Sequence, residues 1–186
     1  MTNMLADAIR EALDAYTPSD DRERAFRERM LALCDAADPF SRTSFAPGHF
    51  TASAFVLSPD RERVLFVFHK KLGRWLQPGG HIERADASIV ASARREVEEE
   101  TAVFGTTPVQ AGLFDIDVHD IPARRDEAAH EHFDLRVLLA APDIAVQAND
   151  EVEAVRWVRL KDVEQLQTDE SVMRAMRKLR PLLPTL

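Results

Sequence analysis

Residues 78–101 constrain this chain more than any other stretch. They run from a Pro78-Gly79-Gly80 turn through a short polar link into a segment over 87–101 with the spacing of a helix. Adjacent glycines mark a place where backbone bends sharply or comes close to another group. At about 100° per residue, Glu96, Glu99 and Glu100 fall on one flank of that helix, and Glu98 points to the other side. Val90, Ala93 and Val97 supply the apolar flank that would fix the helix to a core. Glu96 and Glu100 stand one turn apart, a like-charge pair that costs a bare helix a few tenths of a kcal/mol. Acids gathered on one side behind a glycine turn point to a hard divalent cation, which takes oxygen ligands. A solvated acidic face, the usual meaning of a charge run, does not need that clustering.

Residues 80–103 resemble the signature of the Nudix hydrolases, whose core reads R-E-U-x-E-E-x-G-U with U aliphatic. Arg95-Glu96-Val97, Glu99-Glu100 and Val103 stand in register with it. Asp86 replaces the signature's first glutamate, with one extra residue between it and Arg95, and Ala102 stands where the family has glycine. If position 102 is left-handed, alanine there is about 1 kcal/mol worse than glycine.

The resemblance implies an α/β fold, an α/β/α sandwich around a mixed β-sheet. An N-terminal helical extension (1–44) and a C-terminal helical tail (166–186) would then flank a catalytic domain at 45–165. It further implies Mg²⁺, with Mn²⁺ as a substitute, held by Glu96, Glu99, Glu100 and the carbonyl of Gly80. Arg95 would orient the carboxylates through an ion pair with Asp86. Glu99 or Glu100 would serve as base, with Glu131 and Glu151 as the distant alternatives. The implied reaction is hydrolysis of a diphosphate linkage in a nucleoside diphosphate derivative or a related small phosphorylated metabolite, by water attack at phosphorus. A catalytically silent ligand-binding or regulatory domain on the same fold is the alternative. An isomerase of isoprenoid diphosphates is a third, weakened because Cys34, the single cysteine, lies on an N-terminal helix.

A net charge of −8 argues against a nucleic-acid polymer as partner, since phosphate backbones are bound by clustered Lys and Arg. No apolar run nears the ~20 residues that span a bilayer. With one cysteine and no secretion-type start, a cytoplasmic protein is expected.

Periodicity predicts helices over 2–16 and 21–37, the second capped by Ser19 or Asp20 and carrying Phe26, Met30, Leu33 and Cys34 as its apolar stripe. This pair could cover the sheet, close over substrate or form a homodimer surface; Cys34 is expected buried. Segments 50–57 and 63–69 read as a strand hairpin, with Lys70, Lys71 and Arg74 clustered beyond it. Arg74 is the candidate cation for substrate phosphate. Strand alternation puts Asp115, Asp117 and His119 on one face, and His130, His132 and Asp134 on one face of the next strand. Paired as a hairpin, these predict His119 opposite His130, Asp117 opposite His132 and Asp115 opposite Asp134. His119, His130 and His132 are then candidate substrate contacts, or else ligands of a second metal, Zn²⁺ or Mn²⁺. Residues 136–140 complete that strand as an apolar run, 150–160 form a further strand, a helix opens at Lys161, and a last helix covers about 169–180.

Overall fold

The computed structural model describes residues 4–124, 127–150 and 152–183. Four α-helices occur among them: α1 (Met4–Ala15), α2 (Asp21–Leu33), α3 (Ile89–Thr101) and α4 (Glu170–Leu179). The strands are β1 (Gly48–Leu57), β2 (Arg63–His69), β3 (Arg74–Leu76), β4 (Gly79–His81), β5 (Thr107–Pro108), β6 (Asp115–Ile121), β7 (His130–Ala140) and β8 (Val152–Arg159). They belong to one sheet ordered β3-β2-β1-β7-β5, with β4 on β1, β6 on β7 and β8 on β2. None of the described helices is long and apolar enough to cross a membrane. The chain gathers into two compact units: Met1–Ala52 with Gly80–Ser92 and Gly112–Val137, and Ser53–Gly79 with Ala93–Ala111 and Leu138–Leu186.

In the first unit α1 and α2 pair through Ile9, Leu13, Met30 and Leu33, all buried. Asp20 caps α2 by accepting the Glu23 N–H at 2.8 Å. Glu23 in turn is fully buried, its Oε2 accepting from Tyr16 Oη at 2.7 Å and from the Ser19 N–H at 2.8 Å. These bonds satisfy donors at the helix start and tie it to Tyr16, just beyond α1. The helix ends at Leu33 rather than 37, giving way to tighter turns in which Asp35 and Ala36 bond back three residues. Cys34, expected buried, is half-buried, and burial pushes its thiol up to about 11. α2 lies against β6, and Arg29 stacks 5.2 Å over the Phe133 ring, so this pair covers the sheet.

The β6–β7 hairpin forms, but its register is shifted by two residues from the sequence expectation. Asp115 faces Arg136, Asp117 faces Asp134, His119 faces His132 and Ile121 faces His130. A shift of two leaves every side chain on its expected face, whereas a shift of one would have inverted them all. The physical reason is charge. The expected register set Asp115 against Asp134 with no cation, and assigned Arg136 to an apolar run. In the observed register Arg136, 2% exposed, sits among the acids of that face.

In the second unit β2 is central, antiparallel to both β3 and β8, with Val64, Leu65 and Phe66 fully buried. The expected hairpin with β1 exists, and Leu57 opposite Val64 is its described pair. α4 packs through Val172, Ala175, Met176 and Leu179, and Asp169 caps it by accepting the Val172 N–H at 3.0 Å. The helix expected from Lys161 is only a 3-10 turn, Val163–Gln165; its cap residue Asp162 makes no side-chain capping bond and Leu166 is already extended.

Candidate functional site

The acid-bearing helix α3 starts where Ser88 Oγ accepts the Ala91 N–H at 3.1 Å, two residues later than the periodicity suggested. Ala93 and Val97 are fully buried and orient it. With those residues inward, Glu96 and Glu100 are 7% and 6% exposed, while the Glu99 side chain is 55% exposed. Arg95 Nη1 donates to Glu96 Oε1 at 2.8 Å and to Glu99 Oε2 at 3.1 Å, clamping two acids with one guanidinium. Glu100 Oε2 accepts the Gly79 N–H at 3.0 Å, which ties the glycine turn to the helix. Asp86 shapes the preceding turn by accepting the Glu83 N–H at 2.8 Å. The helix ends at Ala102, left-handed at φ 56°, where the family pattern has glycine.

The donor set on this flank fits a hard divalent ion. It consists of carboxylate oxygens, two of them on buried groups whose geometry is already fixed by an arginine and a backbone amide. Arg74, the candidate phosphate contact, is exposed at the start of β3 with its guanidinium 3.6 Å from the Asp169 carboxylate. Of the distant bases, Glu131 is ion-paired to Arg29 and Glu151 lies outside the described residues.

The first unit holds a second constellation. Arg136 donates Nε to Asp134 Oδ2 at 2.8 Å and Nη1 to Asp115 Oδ2 at 3.1 Å, and its Nη2 lies 3.4 Å from Asp117 Oδ2. Burial alone would lower the guanidinium's pKa; Asp117, Asp134 and Asp115 outweigh it and raise the value. Thr51 Oγ1 donates to Asp134 Oδ1 at 3.1 Å. Asp117 Oδ2 also meets His119 Nδ1 at 3.3 Å, so the charge cluster passes directly into the histidines.

His119 and His132 face each other with ring centres 5.5 Å apart, and His130 lies 5.1 Å from His132. Two further imidazoles join them. His49, at the start of β1, stacks on His81 at 5.0 Å and on His130 at 5.0 Å; His81, at the end of β4, meets His132 at 5.2 Å. A Cβ on Gly48 would lie 1.8 Å from the Glu131 carbonyl oxygen, so only glycine lets the β1 backbone approach β7 where His49 enters. His132 is pushed down to about 2, first by burial and then by His119, His81, His49 and His130. His49 is also lowered, chiefly by burial. Both imidazoles are therefore neutral at neutral pH, with nitrogen lone pairs to offer.

His49, His81 and Arg136 were missed as site residues by sequence reasoning. The available clue was scarcity: the chain has six histidines, and five are gathered here.

No curated protein matches the sequence significantly. Solved structures do share its fold. Caenorhabditis elegans Ap4A hydrolase is 18% identical, with a TM-score of 0.56 over 74% of this chain and 98% of that one. Escherichia coli dihydroneopterin triphosphate pyrophosphohydrolase is 18% identical, with a TM-score of 0.56 over 69% and 92%. The NUDIX domain of Shewanella oneidensis NrtR complexed with ADP ribose is 24% identical, with a TM-score of 0.50 over 72% and 87%. The likeness establishes the α/β/α fold around a mixed sheet, with N-terminal helices and a C-terminal helix. The model of the NUDIX domain matches residues 47–179, which includes the whole glycine turn and acid helix. The chain belongs to the NUDIX family.

Proposed function

We propose that this protein is a divalent-metal-dependent hydrolase of a diphosphate linkage in a small nucleotide-derived or related phosphorylated metabolite. The observation that carries it is the flank of α3: Glu96, Glu99 and Glu100 on one side, two of them clamped by Arg95 and the third bonded to Gly79. Named relatives of the fold act on Ap4A and dihydroneopterin triphosphate, both polyphosphate compounds, which supports the substrate class. In this reading Glu96, Glu99, Glu100 and the Gly80 carbonyl hold Mg²⁺ or Mn²⁺. Such an ion supplies positive charge to diphosphate oxygens and makes water a stronger acid. The work left to the chain is positioning. Arg95 keeps Glu96 and Glu99 in one geometry, Glu100 fixes the turn, and Glu99, the exposed acid, removes the proton from attacking water. Arg74 offsets phosphate charge on the substrate. Residues 45–165 carry this chemistry in a cytoplasmic protein, with 1–44 and 166–186 as additions.

The test is a panel of nucleoside diphosphate sugars, dinucleoside polyphosphates, nucleotide cofactors and nucleoside triphosphates with Mg²⁺. Phosphate or nucleotide release is measured for the wild type beside Glu99→Gln and Glu100→Gln. Turnover of one class, lost in both variants, is expected. Binding of these compounds without turnover would leave a silent ligand-binding domain instead.

A further inference from the structure

We infer that His49, His81 and His132 form a transition-metal site, a three-nitrogen cradle for Zn²⁺ with an open fourth position, separate in its ligands from the acids of α3. One ligand atom from each of the three lies within 4.8 Å of the others. Around one Zn²⁺ with Zn–N distances of about 2.0–2.1 Å, tetrahedral nitrogens stand about 3.3–3.4 Å apart. Side-chain rotations of roughly an ångström therefore close the set.

The hydrogen bonding of His49 is that of a metal-ligating histidine. His49 Nδ1 lies 3.2 Å from the Ser44 carbonyl oxygen, which can only accept, so the proton is on Nδ1 and the Nε2 lone pair is left bare. That Nε2 is buried, on a residue with 0% exposure, and has no hydrogen-bond partner. An unsatisfied buried polar atom is unfavourable, and a metal ion would satisfy it. The flanking rings are set in the same way. His130 Nδ1 is 2.8 Å from the Ala128 carbonyl oxygen, and His119 Nδ1 is 3.3 Å from Asp117 Oδ2. With its proton on Nδ1, His130 can only accept at Nε2, so His132 donates its Nε2–H across 3.3 Å and keeps the Nδ1 lone pair to offer. Outer-shell oxygens of this kind fix tautomer and ring orientation around a metal.

The donor type decides the ion. Imidazole nitrogens suit Zn²⁺, Ni²⁺ or Cu²⁺, whereas Mg²⁺ takes oxygen ligands. Three histidines and no thiolate give a cradle with room for water or a substrate atom. A substrate-contact role for His132 would not explain why His49, the most buried of the five, keeps its bare nitrogen turned away from solvent.

The experiment uses the full-length chain stripped of metal by a chelator and titrated with Zn²⁺ against a chromophoric competitor. One Zn²⁺ per chain is expected, with submicromolar affinity. It should weaken at least about 100-fold in His49→Gln and His132→Gln, since even outer-shell changes cost 10–100-fold. Glu99→Gln and Cys34→Ser should retain it. A wild type that binds no Zn²⁺ in the micromolar range, or binding lost in Glu99→Gln but kept in the histidine variants, overturns the inference. Should the histidine variants misfold, imidazole ¹H–¹⁵N spectra of the wild type decide: Zn²⁺ must shift His49, His81 and His132, and unmoved resonances reject the site. Because the hydrolase reading depends on Glu96, Glu99 and Glu100, failure of one proposal leaves the other standing.

Discussion

The acid flank of α3 and the histidine face of the β6–β7 hairpin are both candidate cation sites, built in opposite ways. On α3 every side-chain donor comes from one helix, and the geometry follows from helical rise and rotation. Its polar groups are held from within, by Arg95, and by the neighbouring turn through Gly79. The histidine face draws ligands from β1, β4 and β7, so it exists only once strands distant in sequence have paired. Its donors are borderline nitrogens rather than hard oxygens. Its foundation is a buried cation with three carboxylates, one of which reaches His119. A local site can be lost by changing one donor; a non-local one can also be lost by loosening what holds the strands in register.

That difference sets the largest expected effect. Arg136→Met leaves Asp115, Asp117 and Asp134 buried without their guanidinium, and should cost about 3–5 kcal/mol in urea unfolding. A companion carrying Asp115→Asn and Asp134→Asn as well should lose less, because fewer uncompensated charges remain. A loss below about 1 kcal/mol for Arg136→Met would mean that the register rests on apolar packing alone. Next comes Glu100→Gln. It weakens the acid set and the Gly79 bond together, and should lower kcat/KM for the Mg²⁺-dependent reaction by about 100-fold or more. Zn²⁺ affinity should be untouched by it. If both fall together, the two constellations work as one.

The same contrast explains what could be read from sequence. The acid flank of α3, expected over 87–101 and found on Ile89–Thr101, was legible because a helix maps spacing onto direction without knowledge of the rest of the fold. Strand β2 was legible to the residue, being a buried apolar run bounded by turns. The hairpin's face was legible from alternation, but its register was not, because period two cannot distinguish shifts by two residues. Arg136 settles that ambiguity by charge, and its placement in an apolar run hid it. His49 and His81 were invisible as partners because nothing local says that β1 lies beside both β4 and β7.

A smaller and opposite effect is expected at the end of α3. Ala102 holds φ 56° and donates its N–H to the Glu98 carbonyl at 3.0 Å, so the left-handed turn is part of the helix termination. Ala102→Gly should raise stability by roughly 0.5–1 kcal/mol, glycine's relief of the Cβ clash being partly offset by its larger unfolded-state entropy. The change lies beyond the acids and should leave kcat within about twofold. A destabilised variant would show that the alanine methyl packs usefully, and that the departure from the family pattern is not a strain.

The last prediction concerns Cys34, the one thiol in the chain and the remaining soft ligand against which the histidine site must be judged. Burial is the first cause that pushes the thiol up to about 11; nearby Arg10 works the other way without prevailing. A free thiol near 8.5 is about one-quarter ionised at pH 8, whereas one near 11 is ionised to roughly one part in a thousand. Alkylation by iodoacetamide at pH 8 should therefore be at least about 100-fold slower than for a free thiol, and should climb through pH 10. Cys34 would then be a poor competitor for Zn²⁺ near neutrality, where the lone pairs of His49 and His132 are already bare. Rapid alkylation at pH 8 would reverse that ranking, make the thiolate a credible metal ligand, and require Cys34→Ser to serve as the background for every Zn²⁺ titration.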